Sequence, residues 1–427
     1  MTDDASREKQ VPSFREALRF WIKLGFISFG GPAAQIALMH HEIVENRRWL
    51  SESHFRHALN FCLLLPGPEA QQLATYLGWR MHGAKGAFAA GIWFIFPSYF
   101  IMLGLSWMYV HGANMPAVQP ILSGLLAAAI ALVLDAVLRI GKKSLRQGMH
   151  YVIATTAFSL LVFAHVSFFW IIVGAAFLGY FLREKSGPPA ANETSAIELA
   201  HSTRPTWKRA LRIGSVGIAA WMTPLLICGL LLGKEHTITQ MGVFFSKAAM
   251  VTFGGAYAVL PYVAQQAVEH HHWLTHEQMI AGLALAETTP GPLIMVLEFV
   301  GFTGAWHAPG NLPAALAAWI GATLTVWCTF FPCFLFVFLG APHIEAIGNQ
   351  PRLRAMMNAI SAAVVGVMAQ LLLTLMRQIL FITDHQQTHV VWPLIILSAA
   401  AFVAIRYGKI NTMAIIVVCA LSSWVMM

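Results

Sequence analysis

Long apolar runs separated by short polar turns dominate the chain. They fall near residues 17–43, 55–80, 86–110, 117–140, 149–164 and 167–182, then near 211–233, 241–267, 278–305, 312–340, 355–381, 390–406 and 410–427. Most reach the roughly 20 residues that a bilayer core demands of a helix. They are continuous, whereas barrel strands are short and alternate. The pattern predicts an all-α polytopic membrane protein with about 13 transmembrane segments. His165-Val166-Ser167 and Tyr407-Gly408-Lys409 read as tight turns between short, tilted helices. The polar stretch from Arg183 to Arg209 is the one long linker.

Several runs are interrupted in a recurring way. "KLGFISFGG" (Lys23–Gly31) returns as "KAAMVTFGG" (Lys247–Gly255), "VENRRWL" as "VEHHHWL", and "LPGP" as "TPGP". Phe29 and Phe253, Trp49 and Trp273, and Pro66 and Pro290 are each 224 residues apart. Over Phe20–Pro68 the ungapped pairing holds fourteen identities in forty-nine positions. Shared hydrophobicity alone would not align Phe-Gly-Gly, Trp and Pro-Gly-Pro in one register. The expected organisation is therefore a tail at 1–16, a first repeat at 17–183, a cytoplasmic linker at 184–209, a connecting helix at 210–235 and a second repeat at 236–427.

Six segments per repeat plus the connecting helix put an odd number of crossings between equivalent points, so the second copy is expected upside down. Cytoplasmic loops carry excess Lys and Arg. Arg80–Lys85 and Arg139–Arg146 are basic in the first copy, while 111–116 and 165–167 are not. In the second copy 305–313 and 383–389 lack Lys and Arg, and the segments with Arg352, Arg354, Arg406 and Lys409 carry them. One loop dissents: Glu45–Arg56, with Arg47, Arg48 and Arg56, falls on the outer side by this count. Carboxylates at Glu45 and Glu52 would compensate, or the adjoining segments are re-entrant.

Composition narrows the class. Of 427 residues 57% are hydrophobic and 11% charged, against roughly 25% charged in soluble proteins. The net charge of +8 belongs to topology-setting loops rather than to nucleic-acid binding. Met1–Arg15 has no apolar core or cleavage site and reads as a cytoplasmic tail. Cys62, Cys228, Cys328, Cys333 and Cys419 lie in apolar runs without metal or redox spacing. The histidines of "EHHHWLTHE" (269–277) read as a polar loop in preference to a metal site. No ATP loop, dinucleotide fingerprint or nucleophile elbow is present, so no enzyme, cofactor or metal is expected.

Proline in a helix interior costs about 3 kcal/mol, so Pro66-Gly67-Pro68 and Pro290-Gly291-Pro292 read as placed breaks, like Gly30-Gly31-Pro32 and Gly254-Gly255. Inverted repeats with broken helices place substrate near the midplane. Each break opens a helix N-terminus with unpaired N–H groups and partial positive charge, a setting for a small anion. Gln35, Gln71, Gln72 and Thr75 follow the first-copy breaks as hydrogen-bond donors. Lys23 and Lys247 match across the repeat, either as ligand contacts or as residues snorkelling near helix ends. Glu69 either complements the helix N-terminus or carries a coupling proton. Leu293 takes its place in the second copy, with Glu287 and Glu298 on either side of the break.

"SFGGPAAQIALMHHEIV" with "LPGPEAQQLATYLGW", and "FGGAYAVLPYV" with "TPGPL", resemble the chromate ion transporter family in its long, two-domain form. The resemblance spans nearly the whole chain. It implies an inner-membrane efflux carrier for chromate, with sulfate as analogue, energised by the ion gradient. The residues carried over are Phe29, Gly30, Gly31, Pro32, Gln35, Pro66, Gly67, Pro68, Glu69, Gln71 and Gln72, with Phe253, Gly254, Gly255, Pro290, Gly291 and Pro292. Ala256 stands where the first copy has Pro32. An anion channel on the same scaffold and an intramembrane chromate reductase are the competing readings. Partners beyond the anion and the bilayer reduce to a homodimer, which the sequence leaves open.

Overall fold

The computed structural model describes residues 12–112, 115, 118–164, 166–181, 206–253, 256–343, 351–384, 387–408, 410 and 412–426. Most of the linker expected over 184–209, the first residues of the tail, and Gly254 and Gly255 lie outside that set. The described chain is helical apart from one antiparallel hairpin, β1 (Phe381–Asp384) and β2 (Gln387–Val390). It is an all-α polytopic architecture, and five helices are long and apolar enough to cross a membrane.

The first apolar runs are not single helices. Helix α1 (Phe14–Ile27) is capped by Ser13, whose Oγ accepts the Glu16 N–H at 3.3 Å. It buries Phe20, Trp21 and Leu24 and stops where Gly30 and Gly31 take φ of 86° and 76°. Only glycine enters that region without strain. Helix α2 (Gly31–His40) restarts with a proline in its first turn and ends in a wide turn, His41–Asn46. Helix α3 (Glu52–Cys62) runs to the Pro-Gly-Pro break, and α4 (Glu69–Gly112) follows it. Within α4, His82 and Gly83 leave helical geometry (φ/ψ −137°/23° and 61°/−147°). Arms 69–81 and 84–112 therefore fold back on each other, with Gly78 packed directly on Gly86.

These half-helices return to the end they left. His82 Nε2 bonds the Pro12 carbonyl at 2.8 Å, and its ring lies 5.5 Å from that of Phe14. Arg47 reaches Glu16 at 3.8 Å, and Trp49 sits 5.5 Å from the Phe20 ring. The chain thus enters beside Pro12, comes back at 47–49 and comes back again at 82. The runs at 17–43 and 55–80 are re-entrant pairs. The loop carrying Arg47 and Arg48 lies at the same end as Arg80 and Lys85, which corrects its expected outer placement. A glycine break lets the chain reverse, and hydropathy does not register a reversal.

Helices α5 (Gln119–Ser144), α6 (Gly148–Ala164), α7 (Phe168–Phe181) and α8 (Trp207–Leu231) are continuous. Broken elements then resume: α9 (Thr237–Val251), α10 (Ala256–Gln265), a wide turn at Gln266–His270, α11 (His276–Thr288), a 3-10 turn at Leu293–Met295 and α12 (Val296–His307). Helices α13 (Ala314–Gly340), α14 (Pro351–Leu380), α15 (Trp392–Arg406) and α16 (Thr412–Met426) complete the chain. Here the shared end is marked by His236 Nε2 on the Pro309 carbonyl at 3.2 Å and by Trp273 against the Phe244 ring at 5.6 Å. The arm 84–112 and α13 run antiparallel, with Phe88 stacked on Phe334 at 5.5 Å and Tyr99 Oη bonded to Thr323 Oγ1 at 2.7 Å. Helix α9 therefore starts at the end opposite to the start of α1.

Backbone details recur at positions 224 apart. Ser28 and Thr252 turn at φ/ψ of −80°/72° and −79°/88°. Arg48 and His272 carry φ of 54° and 52°, and Gly67 and Gly291 carry 127° and 103°. Ser51 and Thr275 cap α3 and α11 with their side chains.

Around the broken elements, α5–α7 pack against α14–α16. Small residues set the spacing, as usual between membrane helices. Gly366 lies under the Ala154 carbonyl, Gly124 under that of Cys419 and Gly179 against Ala355. Helix α8 buries only Trp221 and exposes Leu226, Leu230 and Leu231, the surface of a peripheral, lipid-facing helix.

Candidate functional site

The ends of α1 and α9 meet the opposite Pro-Gly-Pro breaks. Ser28 Oγ donates back to the Leu24 carbonyl and Thr252 Oγ1 to that of Ala248, both at 2.6 Å. The next N–H closes a three-residue turn, Phe29 onto Ile27 at 3.0 Å and Phe253 onto Val251 at 3.1 Å. Each turn releases one main-chain carbonyl from its helix, and each carbonyl is taken crosswise. The Gly291 N–H donates to the Ser28 carbonyl and the Gly67 N–H to the Thr252 carbonyl, both at 2.7 Å. Neither glycine has room for a side chain. A Cβ on Gly67 would stand 2.6 Å from Cys333 Sγ, and one on Gly291 would stand 2.5 Å from Ser98 Oγ.

The glutamines hold this open backbone. Gln35 Nε2 donates to the Gly291 carbonyl at 2.5 Å and to the Ser28 carbonyl at 3.2 Å. Gln72 Nε2 donates to the Pro66 carbonyl at 2.6 Å, and Gln71 Nε2 to Thr75 Oγ1 at 3.0 Å. All three side chains are buried, and their carboxamide oxygens have no partner. Unpaired backbone at membrane depth survives only where protein or a cavity satisfies it, and the carboxamides supply that here. The opening turns of α2, α4 and α12 add N–H groups without intrahelical acceptors.

Carboxylates surround the joint. Tyr257 Oη donates to Glu287 Oε1 at 2.8 Å, and both are buried. The same hydroxyl would lie 3.4 Å from a Cβ on Gly31, so it ties Glu287 to the first Gly-Gly turn. Glu69 opens α4 and is half-buried, within electrostatic reach of Lys143. Lys23 and Lys247 are exposed on α1 and α9. They share faces with Phe26 and with Val243 and Met250, away from the joined breaks. Pro66, Gly67, Pro68, Pro290, Gly291, Pro292, Gly30, Gly31, Gln35 and Gln72 are the site residues that gather around the joint.

Sequence reasoning missed Tyr257, Ser98 and Cys333. Tyr257 pairs with Ala33 across the 224-residue register, so the repeat gave it no emphasis. Ser98 and Cys333 reach the breaks from α4 and α13, and each directly follows a Phe-Pro pair, Phe96-Pro97 and Phe331-Pro332, that recurs between the two halves.

A profile of the chromate transporter family matches residues 15–180 and 239–424. The chain is 30% identical over 428 residues to the chromate transport protein of Pseudomonas aeruginosa, spanning 99% of this chain and 95% of that one. It is 28% identical over 369 residues to the chromate transport protein of Cupriavidus metallidurans, spanning 86% and 83%. To a probable chromate transport protein of Synechococcus elongatus it is 27% identical over 367 residues, spanning 86% and 85%. No solved structure matches it. With two matched stretches covering most of its length, and a helical, apolar, broken-helix architecture, the chain belongs to the chromate transporter family, in its long form, and is a multi-pass membrane protein.

Proposed function

We propose that the protein exports chromate from the cytoplasm by alternating access, driven by the membrane ion gradient. The observation that carries this reading is the crosswise pair of bonds, Gly67 N–H to Thr252 and Gly291 N–H to Ser28. They are one contact made twice with the roles of the two halves exchanged. This supports residues 17–183 and 236–427 being inverted units that rock about a shared midplane joint. In the inward and outward states these two bonds would lengthen in turn.

On this reading a tetrahedral dianion sits against the N-termini that follow Gly30-Gly31 and Pro66-Gly67-Pro68, with Gln71 and Gln72 beside it. Pro290, Gly291 and Pro292 shape the opposite wall. Lys23 and Lys247, exposed on equivalent helices that start at opposite ends, act on the anion from a distance, through the positive potential they add to each half. Glu69, half-buried at the start of α4, exchanges the coupling proton. Arg47, Arg48, Arg80 and Lys85 crowd the end where α1 begins, which supports a cytoplasmic N-terminus in the inner membrane.

Everted membrane vesicles with an imposed proton gradient test the reading, using labelled chromate and sulfate as a competitor. Accumulation above the outside concentration, blocked by sulfate, is expected. Equilibration without accumulation would replace the carrier with a channel. No flux at matched protein content would remove chromate as substrate.

A further inference from the structure

Glu298 is fully buried, and neither of its carboxyl oxygens has a hydrogen-bond partner. It lies in the first turn of α12, the half-helix that follows Pro290-Gly291-Pro292. The half-helix after Pro66-Gly67-Pro68 also opens on an acid, Glu69. The 224-residue register conceals this correspondence, because Glu69 aligns with Leu293 in it. Leu293–Met295 form a 3-10 turn, so the α-helix proper starts only at Val296 and its acid arrives later.

Among the described residues, none supplies Glu298 with a counter-charge. One turn further along α12, Gly301 packs against the Thr325 side chain of α13, whose hydroxyl is also unpartnered. Tyr99 of α4 lies within electrostatic reach, but its hydroxyl is engaged by Thr323. Among the described residues, further ionisable groups on elements packed against α12 include Tyr109 and His111 on α4, Glu277 and Glu287 on α11, Cys328 and Cys333 on α13 and Lys247 on α9; His111 lies against Trp306, near the far end of α12. Tyr109 packs its ring on Phe299, and Glu287 is bonded by Tyr257. Cys328 is buried and Lys247 is exposed. An ionised carboxylate without a partner is far costlier to bury than a neutral acid.

We propose that Glu298 is the occluded proton site of the carrier: its carboxylate takes up one proton to become a neutral acid in this conformation, and returns it when the start of α12 is hydrated. The inference rests on the transport reading above and deepens it. Glu69 exchanges protons at the half-exposed joint of one unit, and Glu298 holds one inside the other.

The test uses the full-length protein in proteoliposomes, with the membrane potential clamped. Glu298→Gln is isosteric and permanently neutral. It should still exchange labelled chromate between equal pools. It should lose the pH-driven accumulation that one coupled proton supports, about tenfold per pH unit. Glu298→Gln that still concentrates chromate, or wild-type protein that exchanges chromate yet gains nothing from a pH gradient, would overturn the inference. An infrared measurement separates it from the transport reading, because it needs no flux. Wild-type protein should show a neutral carboxylic-acid band that Glu298→Gln lacks and that Glu298→Asp retains at a shifted position. Absence of that band would sink the proton site even if chromate is transported. Its presence in a protein that does not exchange chromate would sink the transport reading alone.

Discussion

The joint of the breaks depends on single atoms. Gly67 and Gly291 combine positive φ with contacts too close for a Cβ. Alanine at either should cost about 1–2 kcal/mol from backbone strain alone, before any overlap with Cys333 or Ser98 is relieved. Thermal unfolding in detergent should register that loss, and chromate flux should fall with it. Unchanged melting for both variants would mean that the backbone can relax at the joint. Gln35→Leu removes the donor shared by the Ser28 and Gly291 carbonyls. Leaving a buried acceptor unmet costs roughly 1–3 kcal/mol, and thermal stability should fall more than in Gln71→Leu, whose amide bonds Thr75 on its own helix. At this scale the glycines and prolines were legible in the sequence, because their backbone chemistry is local. The crosswise acceptors were not, since a main-chain carbonyl carries no signature of its partner. Tyr257 also escaped, because its role depends on Glu287 thirty residues away.

Half-helices are the working elements, and their turns are pinned by aromatic contacts. The Arg47 guanidinium lies 5.2 Å from the Phe20 ring centre and 4.9 Å from that of Trp49, and it pairs with Glu42 at 3.3 Å. In the second half His271 stacks on Trp273 at 4.3 Å without a formal charge pair. Arg47→Ala should therefore cost about 1–2 kcal/mol of stability while leaving chromate affinity unchanged. An equal loss of affinity would show that the turn acts on the site directly. The positions of the breaks could be read from Gly-Gly and Pro-Gly-Pro. Whether the chain continues through or turns back could not, because apolar half-helices and full spans share one hydropathy profile. The basic loop at Arg47 and Arg48, anomalous in a spanning model of the segments, was the one trace of the reversal.

Across the whole molecule, α1 and α9 start at opposite ends, and the basic loops gather at the end of α1. In an otherwise cysteine-free background, Arg48→Cys and Lys85→Cys should be protected from an impermeant thiol reagent added outside cells, whereas Glu235→Cys should react. All three positions are exposed. Labelling of positions 48 and 85 from different sides would rule out the re-entrant path. The all-α membrane class and the 224-residue repeat were plain in the sequence. The helix boundaries that displace Glu298 from the register were not, because a 3-10 turn replaces α-helix at Leu293–Met295 without a marking residue. On the proposed reading chromate binds where the two halves exchange backbone bonds. Equilibrium binding of labelled chromate to purified protein, comparing wild type with Gly291→Leu at matched monodispersity, decides it. Binding by the wild type and its loss in Gly291→Leu is the predicted result. Equal affinity in both would place the chromate site elsewhere.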